Sequence, residues 1–198
     1  VKVLIPPGIY NCGAILCPKS NTVIENRGHL KFTGGNNLGG FVFIQNQQNV
    51  EMFGGGWDSN FQGNDNTISF GFLDLNYPQG PAGPYNENIW IHDMLIQNSL
   101  ADPTGFSNDP IGDPAYFGVA GGKGISIQNG NANIFINSVR IENCDQGLTI
   151  EGIAVDDWNK ILGHDPVIDL PGYSYSIEIS DVVISNAKYM GIFFSGQT

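Results

Sequence analysis

Residues 133–144 read NIFINSVRIENC, and two other stretches repeat the phrase: NIWIHDMLIQNS at 88–99 and SIEISDVVISNA at 176–187. Ile holds the second, fourth and ninth positions of all three, and Asn holds the eleventh. Ile alternating with polar or variable residues is the period of a half-buried strand. An amphipathic helix would space its apolar residues by three and four, and no such run occurs. The ninth position therefore belongs to a second short strand, reached after a bend.

A second phrase interleaves with the first: GAIL at 13–16, FVFI at 41–44, FLDL at 72–75, GISI at 124–127, GLTI at 147–150 and GIFF at 191–194. Gly124 and Gly147 are 23 residues apart, and that interval holds the three strand-like pieces ISI, IFI and VRI. Three short strands in such a unit is the expected size of one coil of a β-solenoid. The pattern predicts an all-β chain of about six coils forming one domain over 1–198, with longer spacings where coils carry insertions. Segments 99–120 and 151–175, rich in Asp, Pro and Gly, are the expected insertion loops. Each coil would present its Ile residues at the same height, with strands about 4.8 Å apart. Asn98, Asn143 and Asn186 would stack at one corner, where Asn tolerates a left-handed backbone better than most residues.

Composition narrows the partners. The chain has 198 residues, a formal charge of −11, 27 Gly and 22 Asn, and only 14% charged residues. No basic stripe exists to displace counterions, so nucleic acid is disfavoured, as are anionic membranes. A surface rich in Asn, Gln and Ser suits hydroxylated partners and equally suits a turn-rich β surface. Cys12, Cys17 and Cys144 form neither a disulfide framework nor a zinc motif. They read as small apolar fillers, with a Cys12–Cys17 link as the alternative. No apolar run approaches a membrane span.

VKVLIPPGIYNCGAILCPKSNTVIENRGHLKFT at 1–33 resembles the start of a pectate-lyase-like right-handed parallel β-helix. GGGWDSNFQG at 54–63 is similar to the glycine-rich segment of polygalacturonase-type hydrolases. The resemblance implies the fold more than an activity, because this superfamily spans lyases, hydrolases, epimerases, phage tailspikes and non-catalytic adhesins. In the hydrolases it resembles, acidic residues precede the Gly-Ile strands of one sheet. Here Lys123 stands at the first of those places, Asp145 and Gln146 at the second, and Met190 near the place of a histidine. Inverting hydrolysis needs an acid and a base flanking the bond, so the usual hydrolase arrangement is not expected.

With Ile125 and Ile127 inward, one outward row would run Ile15, Phe43, Asp74, Ser126, Thr149 and Phe193. The next would run Cys17, Gln45, Asn76, Gln128, Glu151 and Ser195. Phe43, Asp74, Ser126, Gln128 and Thr149 are thus candidates for a shallow saccharide groove; the competing reading has loops bury this face as a secondary core. Lyase chemistry would use Lys123 as base with Asp145 and Glu151 nearby. The alternative makes Lys123 and Asp145 a structural ion pair. No motif fixes a metal or cofactor, and Asp74, Asp145 and Glu151 supply the oxygen ligands a Ca2+ would use. Asp156, Asp157 and Trp158 in the second insertion could line a sugar site or be ordinary turn chemistry.

Two functions follow. One is an extracellular polysaccharide-directed enzyme, a lyase or glycosidase. The other is a non-catalytic β-helix of a cell surface or virion, such as a tailspike-like receptor-binding module, an adhesin or a structural component. The chain starts in a strand and stops partway through a coil. The expectation is an excerpt of a longer protein, or ends capped by further coils or an oligomer partner.

Overall fold

The computed structural model describes residues 1–34, 41–61, 66–70, 86–99, 122–127, 131–151 and 175–195, with the backbone alone at Glu151, Tyr175 and Ser195. Among them there is no helix. Twelve strands form one curled sheet: β1 Lys2–Ile5, β2 Ile9–Cys12, β3 Thr22–Asn26, β4 His29–Phe32, β5 Val42–Ile44, β6 Gln47–Phe53, β7 Gly56–Asp58, β8 Ile68–Phe70, β9 Asn86–Ser99, β10 Lys123–Ile127, β11 Asn131–Glu151 and β12 Tyr175–Ser195. Every pairing between these strands is parallel.

The register puts like on like in three rows. Val3, Ile24, Met52, Ile91, Ile136 and Ile179 are successive partners in the first. Tyr10, Leu30, Trp57, Ile96, Ile141 and Ile184 follow one another in the second. Leu16, Val42, Ile68, Ile125, Leu148 and Ile192 make the third. The fourth position of the repeated phrase thus falls in the first row and the ninth in the second, while the second position makes its own line of partners, Ile89, Ile134 and Ile177, on the same strands as the first row. Between Met52 and Ile136 in the first row, and between Trp57 and Ile141 in the second, these side chains are fully buried. Burial of aliphatic groups at about 25 cal/mol per Å² is what draws the rows together.

The sixth position of each phrase makes the bend between rows one and two: Asp93, Ser138 and Asp181 have φ of 53°, 52° and 51°. Asn98, Asn143 and Asn186 also lie in the left-handed region, at 62°, 54° and 54°. Their amides form the expected ladder. Asn186 Nδ2 donates to Asn143 Oδ1 at 3.1 Å, Asn143 to Asn98 at 3.1 Å, and Asn98 to Asp58 Oδ1 at 2.8 Å. A second ladder was not anticipated: Asn133 donates to Asn88, Asn88 to Asn49 and Asn49 to Asn21, at 3.0, 3.2 and 3.0 Å. Asn143→Leu loses two ladder bonds and forces a branched side chain into left-handed backbone. Its expected cost is about 2–3 kcal/mol, and Asn143→Gly, which accepts that backbone, should cost visibly less. Equilibrium urea denaturation of both variants checks the order.

One expectation changes. The strand following Gly56–Asp58 in the third row is Ile68–Phe70, not FLDL at 72–75, and residues 72–75 lie outside the described residues. Both are short apolar runs that periodicity cannot separate. The structure selects the earlier one because Ile68 and Phe70 are both fully buried and Thr67 Oγ1 bonds the hydroxyls of Ser59, at 2.7 Å, and of Ser99. The cysteines are all free: Cys144 is a buried filler, Cys12 is half-buried and Cys17 is exposed. Burial, with Asp145 beside it, pushes the Cys144 thiol up to about 12, so it stays protonated.

Candidate functional site

Lys123 is in register with Gln146, and Gln146 with Met190, as the alignment of Gly-Ile strands required. Lys123, Asp145 and Gln146 are only 5%, 2% and 2% exposed. Gln146 Oε1 is buried with no hydrogen-bond partner. Of Glu151 only the backbone is described; it pairs with Ser195.

The outward row of the third set of strands runs Phe43, Ser69, Ser126, Thr149, Phe193. Ser69 takes the place assigned to Asp74. Ser126 and Thr149 are fully buried and Ser69 nearly so, with Thr149 Oγ1 donating to Ser126 Oγ at 3.3 Å. Phe43 and Phe193 are half-buried. Over its central positions this row is an interior, not a shallow open face. Asp74, Gln128, Asp156, Asp157 and Trp158, like the interiors of both insertion loops, lie outside the described residues. Among the described residues no three His, Cys, Asp or Glu side chains group to hold a metal.

The open face lies on the first row of strands. Outward residues of β6, β9, β11 and β12 are in register as Glu51, Trp90, Phe135, Glu178. Two residues further along each strand stand Phe53, His92, Asn137, Ser180. The alternation that buries Ile89, Ile91, Ile134 and Ile136 forces these side chains outward. Trp90 is 48% exposed and Phe135 38%. Side by side on neighbouring strands, they line a groove of about 430 Å³ with Ile136, Asn137, Glu178 and Ser180.

The floor beside Trp90 is built of rings. His92 lies flat on Phe53, with centroids 5.0 Å apart and planes 8° apart, and tilts against Trp90 at 4.7 Å. Its Nε2 is 3.1 Å from Glu51 Oε1 and its Nδ1 2.8 Å from Asp93 Oδ2. Glu51, His92 and Asp93 therefore hold one another beside Trp90. Glu178 lines the groove and is exposed.

The face is acidic. Residues 47–53, 86–93, 131–138 and 175–181 contain Glu51, Glu87, Asp93, Glu178 and Asp181 and no Lys or Arg. Lys2, whose register runs through Val23 and Glu51 to Trp90, sits on Glu25 at 2.9 Å, and Arg27 sits on the same carboxylate at 2.5 Å. Hydrogen bonds from Lys2 and then Arg27 hold the Glu25 carboxyl below its ordinary value. Glu51 and Glu178 are three strand spacings apart, ~14 Å along the sheet. Glycosidic hydrolysis uses carboxylates roughly 5–9.5 Å apart, so this row offers rings and hydrogen-bond acceptors, not an acid–base pair.

The sequence carried this face without its being read. The third position of the phrase is aromatic in two consecutive repeats, Trp90 and Phe135, at sites that alternation points outward. Compared with family models, curated proteins and solved structures, the chain matches none of them.

Proposed function

We propose that this chain is a right-handed parallel β-helix of pectate-lyase-like type that binds polysaccharide on its Trp90–Phe135 face. The three rows of in-register parallel partners support the solenoid reading, with each pass of chain adding one member to each row. Parallel strands joined by crossovers in one sheet are almost always right-handed. Glycans fit a two-stranded aromatic platform because the apolar faces of sugar rings stack on it while their hydroxyls need nearby acceptors and donors. Asn137, Ser180 and Glu178 supply those beside Trp90 and Phe135. The observation that carries the reading is this pair of exposed rings inside a groove edged by polar groups.

The binding role takes precedence over a lyase or glycosidase. A base must reach the sugar proton it removes, and Lys123 and Asp145 are almost wholly covered. The setting that suits a glycan-binding β-helix is a cell surface, a virion or the extracellular space, in agreement with a tailspike-like or adhesin module.

Affinity electrophoresis through gels containing neutral, acidic and amino polysaccharides tests the proposal. Wild-type protein should be retarded by at least one of them. Trp90→Ala should weaken that retardation by about tenfold or more, the worth of one aromatic anchor. Because Trp90 is half exposed, its far-UV spectrum and melting should change little. Unretarded migration throughout, or retardation identical in Trp90→Ala, would refute the reading.

A further inference from the structure

The charge around the groove says which sugars it takes. Four neighbouring strand segments bring five carboxylates and no Lys or Arg to the edges of the face. A polyuronate would meet repulsion from every side. A purely neutral glycan would stack on the rings and use the carboxylates only as hydroxyl acceptors.

A ligand bearing ammonium groups uses everything present. The faces of Trp and Phe attract cations through the ring quadrupole. A carboxylate at the rim of the same groove completes a charge-assisted hydrogen bond. The two glutamates of this row are not equivalent in this respect. Glu51 already faces His92 Nε2 at 3.1 Å. Glu178 lines the groove beside Phe135 and has no ion-pair partner among the described residues. Ser180, whose Oγ accepts from Asn137 Nδ2 at 2.8 Å and keeps its O–H to donate, stands next to it for the hydroxyls of the same sugar.

We infer that the Trp90–Phe135 groove selects glycans with free, protonated amino groups, and that Glu178 is the counter-charge that recognises the amine. The inference rests on the saccharide reading above and deepens it by naming the substrate class. Neighbouring strands stand about 4.8 Å apart, a spacing comparable to the length of one sugar in an extended β-linked chain lying across them. Stacking one sugar on Trp90 and the next on Phe135 then brings the following substituent to Glu178. N-acetylation removes the charge while keeping the ring, so it removes the preference and not the stacking.

Isothermal titration of the 198-residue chain with three oligosaccharides of equal length separates these contributions: β-linked glucosamine, its fully N-acetylated form and β-linked glucose. The glucosamine oligomer should bind about tenfold more tightly than the other two, a gain that shrinks as salt is added. Glu178→Gln should bring the ratio of amine to N-acetyl affinity close to one, while Trp90→Ala weakens binding of the glucosamine oligomer. Equal wild-type affinities for the amine and N-acetyl oligomers, or a preference that survives Glu178→Gln, would overturn the inference. The saccharide reading would still stand in that case if Trp90→Ala weakened binding. Binding by none of the oligomers would overturn the inference and leave the saccharide reading to the wider polysaccharide panel, whereas binding indifferent to Trp90 would sink both.

Discussion

Ile136→Ala should destabilise the protein by about 4 kcal/mol, at the upper range for a truncation that leaves a cavity in a well-packed core. Ile136 is fully buried, and its strand partners Ile91 and Ile179 lie directly on either side in the first row. A row held in parallel register cannot close over a missing side chain unless neighbouring strands shift together. The relaxation that softens such losses elsewhere is therefore restricted. Ile136→Val keeps most of the volume and should cost about 1 kcal/mol. For a chain of this length, 4 kcal/mol corresponds to a fall in Tm of about 8–16 °C. Thermal and urea unfolding followed by circular dichroism would decide it, and a loss below about 1 kcal/mol for the Ala variant would show that this row is not tightly packed.

The second large effect is expected at a glycine. A Cβ on Gly147 would lie 2.6 and 2.7 Å from Cγ2 and Cδ1 of Ile184 and would also strike the carbonyl oxygen of Gly191. The backbone oxygen cannot turn aside as a flexible side chain can. Gly147→Ala should thus cost about 3 kcal/mol although it adds a single methyl. Gly124 is in the same position one strand earlier, with Ile141 Cγ2 at 2.5 Å and Gly147 O at 2.7 Å. Gly191, the matching residue of GIFF, has nothing within 4 Å of its Cβ position. In this 198-residue chain Gly191→Ala should change stability by no more than about 0.5 kcal/mol. Equal losses at Gly147 and Gly191 would show that the glycine is required for some reason other than close approach.

These two sites also show which parts of the molecule were legible beforehand. Ile at positions two, four and nine recurs because register demands it, so the repeat disclosed the all-β class, the stacked rows and the ladder of Asn98, Asn143 and Asn186. The ladder through Asn21, Asn49, Asn88 and Asn133 was harder to see, since its last register continues as Ser176 and the intervening lengths vary. Choosing between ISF and FLDL needed the hydroxyl contacts of Thr67, which no periodicity encodes. The open aromatic face was missed for a related reason. Alternation says that Ser126 and Thr149 point away from Ile125 and Leu148, but not whether anything packs over them. Both turned out buried, whereas Trp90 and Phe135, outward by the same rule, stayed open. Buried and open outward positions differ only in what lies above them, and that is a tertiary fact.

The two asparagine ladders share a sense. In every rung the amide of the later residue donates to the earlier one: Asn186 to Asn143 to Asn98, and Asn133 to Asn88 to Asn49 to Asn21. Side-chain dipoles aligned head to tail polarise one another and add, so each ladder acts as a small electret running across the strands. Its positive pole points toward the amino-terminal rungs, and in the first ladder that pole ends on the carboxylate of Asp58, which accepts from Asn98. Asp58 plays there the part that an acidic residue plays at the start of a helix, an anion set against converging N–H groups. These two corners thereby acquire an electrical direction that the backbone dipoles, which largely cancel between bonds, do not supply, whereas the buried Asn86 Nδ2 donates the other way, to Asn131 Oδ1 at 2.8 Å.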